Sequence, residues 1–103
     1  MRFDPVRGRE KTGPTSLLIE AKLDEAQLHD ANLAHVNLTN ASLKGADLTC
    51  ADLSHAFLPQ ATLSRAIMIY AKLDGANLVN CQLDSVDLSS ATLKEAKLSS
   101  AIM

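Results

Sequence analysis

The sequence predicts an all-β, rod-like solenoid, and three observations carry that prediction. The first is a repeat of five residues that runs from Ala21-Lys22-Leu23 to Ala101-Ile102-Met103 without a slip. Self-similarity at a fixed period points to a stacked repeat architecture. The second is the near-invariance of two positions. Of 17 units, 15 carry Leu at the centre, with Met68 and Met103 in the others. The residue two before the centre is Ala in 14 units, with Val36, Cys81 and Val86 as exceptions. The third is the spacing of these positions, two and then three, which matches neither a helical stripe nor a continuous alternating strand.

Each element of the unit then has a physical reason. Residues two apart in an extended segment point to the same side, so the Ala and the Leu face inward and the residue between them faces out. Two further residues, mostly Asp, Ser, Thr, Lys, Gly or Asn, turn a corner. Successive coils stack about 4.8 Å apart through strand-like hydrogen bonds. Ala is small because the corners leave little interior room, and Leu fills the axis. Periodicity alone leaves open how many sides close one coil.

Read as Ala-(Asp/Asn)-Leu-x-x, with Ala46-Asp47-Leu48, Ala51-Asp52-Leu53 and Ala76-Asn77-Leu78 as the cleanest copies, the chain resembles the pentapeptide-repeat family. The resemblance covers residues 21–103 and extends to 16–20, where Leu18 keeps the register. It implies a right-handed quadrilateral β-helix with four units per coil, and so slightly more than four coils. Leu33, Leu53, Leu73 and Leu93 then form one inward column. Asp52 is expected to point outward and to matter little for stability.

A chain of 103 residues argues one domain. Residues 16–103 are assigned to the solenoid. Residues 1–15 read as a loose basic leader, with Arg2, Arg7, Arg9 and Lys11 among Pro5, Gly8, Gly13 and Pro14. Thr15 to Glu20 is expected to cover the first coil, without the capping helix common in the family. Phe3, Phe57 and Tyr70 all fall off the inward positions.

A net charge of −2 argues against nucleic-acid binding, which needs a basic face. No apolar run approaches a membrane span, and no signal-peptide pattern opens the chain, so a cytoplasmic location without membrane contact is expected. Cys81 takes an inward site and Cys50 an outward corner; they should not pair, and free thiols fit a reducing compartment.

Few residues suggest chemistry. With four units per coil, His35 and His55 stack, with Gly75 and Glu95 further along the same column. Two imidazoles fall short of the three or four ligands of a zinc site, so no metal or other cofactor is expected. Asp52, Ser54 and His55 are triad-type residues, but a smooth convex rod offers no cleft to position a substrate. The expectation is therefore a protein that is not an enzyme. Thr39, Thr49, Thr62 and Thr92 share no column, so no hydroxyl ladder for ice binding forms.

Outward apolar residues are more informative, because a polar surface has no structural need for them. Phe57, Pro59 and Val79 fall on one face, and Ile67, Ile69 and Tyr70 on the opposite one. Both groups are candidate partner-binding sites. The expected role is a binding or scaffolding module for a protein partner. The alternative that the resemblance implies is a DNA-mimicking modulator of a type II topoisomerase such as gyrase. The chain departs from that pattern: the rod is short, its charge is mild, and Ile67 interrupts the stack of Asp47 and Asp87. Finally, Met103 is itself an inward centre, so the last coil presents Leu98, Ile102 and Met103 with no polar cap. A homodimer through this end is expected, because two copies meeting there would cover the open edge.

Overall fold

The computed structural model describes residues 17–103. The expected leader at 1–15, the placement of Phe3 and the start of the Thr15–Glu20 cover lie outside the described residues.

Pairing is uniform along the chain. Every bridge is parallel and joins residues 20 apart, as in Leu17↔Asn37, Asn37↔Phe57, Phe57↔Asn77 and Asn77↔Lys97. Twenty residues are four five-residue units, so each coil has four sides. The paired residue is the outward one just before the central Leu or Met of its unit. One unit shows the hydrogen-bond pattern. The Ser42 amide donates to the Ala21 carbonyl (2.9 Å), the Leu23 amide to the Ser42 carbonyl (2.7 Å), and the Glu25 amide to the Lys44 carbonyl (2.8 Å). The chain therefore satisfies its backbone between coils rather than within long strands.

The corners are hydrogen-bonded turns. The Ala26 amide donates to the Leu23 carbonyl (3.0 Å), and the second turn residue, Glu25, has φ +61°. A positive φ at this position is the mark of a type II turn, which favours Gly or Asn. Among the described residues, 15 such positions are not Gly. A left-handed conformation costs an ordinary L-residue about 1–2 kcal/mol. From Glu20 to Asn80 each corner is held by the bond from that residue's own amide to the next coil.

The interior is continuous from Leu28 to Leu83. Leu33, Leu53 and Leu73 are buried in one column, as the family resemblance implies, and Leu93 is the half-buried end of it. Leu18 and Leu23 at one end, and Leu88, Leu93 and Leu98 at the other, are packed against the core but only partly covered. Phe57 and Tyr70 lie on the surface.

Candidate partner-binding surfaces

The outward residue of the unit does more than face water. Asn32, Asn37, Asp47, Asp52, Asn77 and Asp87 each turn Oδ1 over the following Leu to accept the amide of the first corner residue, at 3.0–3.2 Å. This local side-chain bond is the Asx-turn pattern. It explains why Asp and Asn recur at that position. It also corrects the expectation that Asp52 matters little: its carboxylate caps the Ser54 corner at 3.0 Å. A second device works between coils. Asp24 accepts the Lys44 amide (3.0 Å) and the Ser42 hydroxyl, and Asp74 accepts the Lys94 amide (2.9 Å).

These bonds hold several carboxyls below their ordinary range. Asp47 is lowered by the Thr49 hydroxyl and amide, and Asp87 by those of Ser89. At Asp52 partial burial pushes the pKa up, but the bonds from Ser54 and the charges of Lys72 and His35 outweigh it. The capping carboxylates are therefore firmly ionised at neutral pH.

The candidate apolar residues sit on two faces of the four-sided coil. On one, Phe57 is exposed and is bridged by Asn37 and Asn77 on adjacent coils. Pro59 and Val79, half-buried, line the adjoining corner. On the opposite side, Ile67 is 40% exposed and lies between Asp47 and Asp87. Ile69 is half-buried on the next corner and Tyr70 is 63% exposed. At the end of the rod, Leu98 is half-buried, while Ile102 and Met103 are exposed.

The residues that suggested chemistry are engaged structurally. His35 and His55 are stacked, with ring centroids 5.2 Å apart and planes 15° apart. The His55 ring occupies the space beside Gly75, where a Cβ would lie 2.4 Å from Nδ1. Among the described residues, no three His, Cys, Asp or Glu side chains gather closely enough to hold a metal. Cys50 is exposed and Cys81 buried, and neither is in a disulfide. Burial pushes the Cys81 thiol up to about 11, and its Sγ donates to the Leu58 carbonyl. No helix of the described residues is long and apolar enough to cross a membrane.

A stacked, four-sided solenoid of five-residue units defines a structural repeat protein, and the comparisons assign its family. Eight copies of the model for pentapeptide repeats match residues 17–49, 26–65, 46–83 and 66–103. The chain belongs to the pentapeptide-repeat family, and its fold is the right-handed quadrilateral β-helix. It is similar to a pentapeptide repeat protein from the Arabidopsis thaliana thylakoid lumen, with a TM-score of 0.74 and 20% identity. That match covers 94% of this chain and 63% of the Arabidopsis protein, so this chain spans less than two thirds of its length. A pentapeptide repeat protein from the cyanobacterium Cyanothece 51142 is similar at a TM-score of 0.60 and 31% identity, over 93% of this chain and 69% of that one. No curated protein sequence matches the chain.

Proposed function

We propose that the chain is a non-catalytic binding module that engages a protein partner through its outward apolar residues. The observation that supports this reading is the exposure of Phe57, Ile67 and Tyr70 in the middle of the rod, where the outward positions are otherwise mostly polar. Contiguous exposed apolar surface is characteristic of interaction sites. The absence of a catalytic role rests on the use already made of the reactive groups. Asp52 caps a corner through Ser54, and His55 stacks on His35. The free thiols support a reducing, cytoplasmic setting.

Affinity capture from a host lysate tests this reading, with the intact chain compared to Phe57→Asn and Ile67→Asn. Both substitutions keep the fold, because Asn is native to equivalent positions. A partner retained by the parent and lost with either variant supports the module. Identical capture by all three chains removes the apolar residues from the function. DNA supercoiling by gyrase, measured with and without the chain, tests the topoisomerase alternative.

The same reading extends to a second copy of the chain. In these 103 residues the inward Leu88, Leu93 and Leu98 are only partly covered, and no coil pairs with the backbone beyond them. An isologous contact through residues 84–103 would bury both edges. Light scattering on the 103-residue chain should then report a dimer, reduced to a monomer by Ile102→Lys with Met103→Lys. A monomer at high concentration refutes the contact.

A further inference from the structure

The two apolar faces differ in what their central residue displaces. Phe57 replaces an Asx residue in a column where Asn37 and Asn77 accept the amides of Thr39 and Val79. The equivalent corner residue in the Phe57 unit is Pro59, which has no amide hydrogen to cap. Proline also suits the first corner residue of a type II turn, the one before the positive-φ position. The Phe57 unit is thus consistent as structure alone, and its flanking Asn residues carry no charge.

Ile67 has no such compensation. On either side of it Asp47 and Asp87 accept the amides of Thr49 (3.1 Å) and Ser89 (3.0 Å). Ile67 has no acceptor, and the Ile69 amide makes no hydrogen bond among the described residues. An Asp or Asn at 67 would cap the corner and remove exposed apolar surface at once. The flanking carboxylates also have spare capacity. Each uses Oδ1 for its own corner, and Oδ2 of neither is bonded by a described residue. The result is an exposed aliphatic side chain with an ionised carboxylate on the coil below and another on the coil above.

We propose that the face of Asp47, Ile67 and Asp87, edged by Ile69 and Tyr70, binds a polypeptide segment in which an apolar side chain is flanked by lysine or arginine. This inference rests on the binding-module reading and adds the chemistry of the partner. The two carboxylates lie two coils apart, about 10 Å along the axis. In an extended segment, residues on one side recur every second position, so basic residues two before and two after an apolar one are about 13 Å apart. Flexible basic side chains close that difference. The apolar side chain then rests on Ile67 and Ile69, and the aromatic ring of Tyr70 borders it. Charge fixes the choice of partner, and the interaction weakens with salt because the pairs are exposed.

The test uses the full chain and a labelled peptide containing Lys-Ser-Val-Ser-Lys, followed by fluorescence anisotropy at low and high salt. Control peptides carry Glu for both Lys, or Ser for Val. The lysine peptide should bind, and Ile67→Asn should weaken it at least about tenfold, as should Asp47→Asn with Asp87→Asn. All these variants keep an Oδ1 acceptor or gain one, so their melting temperatures should not fall. Phe57→Asn should bind like the parent. No binding, equal binding of the glutamate peptide, or full binding by Ile67→Asn overturns the proposal. If a captured protein is instead lost with Phe57→Asn alone, this proposal fails while the binding-module reading stands.

Discussion

The middle of the solenoid and its last coil are written in the same repeat, yet they are physically different places. Leu53 and Leu93 share a column, a residue type and a position in the unit. Leu53 is 1% exposed, whereas Leu93 is only partly buried. The difference comes entirely from neighbours. Leu53 has a coil on each side, and the backbone around it bonds in both directions. The Asp52 amide donates to the Ala31 carbonyl and the Leu53 amide to the Lys72 carbonyl. Around Leu93 the Thr92 amide still donates to the Ala71 carbonyl, but the Leu93 amide has no backbone partner among the described residues. In a repeat protein, stability is approximately a sum of unit and neighbour contributions. The same sequence motif is therefore worth less at an end.

The largest expected effect tests that statement directly. Leu53→Ala should destabilise the chain by about 2–5 kcal/mol, the range for a buried Leu that leaves a cavity. Leu93→Ala should cost about 1 kcal/mol, because part of its side chain is already in water. Urea unfolding followed by circular dichroism measures both. Equal losses would mean that the last coil is covered in solution, and would favour the second-copy contact over an open end.

This comparison also shows what could be read from the sequence. The period of five gave the inward phase, because only Ala and Leu recur at two positions while the others vary. The number of sides needed the family resemblance, since five-residue spacing is compatible with several closures. The two apolar faces followed from counting in twenties. The corner caps were missed. Asp52 looked like a solvent-facing residue because outward direction was equated with absence of contacts. Its partner is a backbone amide two residues away, which sequence periodicity does not display. The recurrence of Asp and Asn in Ala-(Asp/Asn)-Leu was the available signal, since these residues favour local backbone bonds. The same omission hid the contrast between Phe57, followed by Pro59, and Ile67, followed by Ile69.

Caps in the middle coils give the next effect. Asp52→Ala removes the acceptor of the Ser54 amide and should cost about 0.5–1.5 kcal/mol, the usual net value of such a bond. Asp52→Asn keeps Oδ1 and should cost less. If Ala and Asn behave alike at neutral pH, charge rather than capping is the contribution of Asp52.

Two glycines sharpen the picture of the corners. Both have positive φ, +65° at Gly45 and +71° at Gly75. A Cβ at Gly45 would sit 3.4 Å from Glu25 Cγ, an ordinary contact. At Gly75 it would lie 2.4 Å from Nδ1 of His55, whose ring must move and leave its stack on His35. Gly75→Ala should therefore cost about 0.5–1.5 kcal/mol more than Gly45→Ala, the cost of an off-rotamer side chain. In a Gly75→Ala, His55→Ala background the excess should vanish. Persistence of the excess would locate the strain in the backbone.

The smallest effect is the acid response, and it returns to the contrast between middle and end. Asp52 and Asp87 both have pKa values lowered from the ordinary 3.8. A carboxyl lowered in the folded state contributes stability above its unfolded value. That contribution is lost as the pH falls below about 4 and through the lower native value. The chain should thus weaken progressively on acidification from neutral pH, and Asp→Asn removes the part of the slope that belongs to the substituted residue. The two positions should not respond alike. Asp52 lies between paired coils and is coupled to Lys72 and His35 besides Ser54, so its ionisation is tied to the cooperative unfolding of the core. Asp87 is bonded by Ser89 within its own unit of the last coil, which can open locally before the whole unfolds. Urea midpoints at neutral pH and near pH 3 should therefore converge more for Asp52→Asn than for Asp87→Asn. Equal flattening at both positions would show that the last coil unfolds together with the middle, and the distinction between them would then be one of exposure alone.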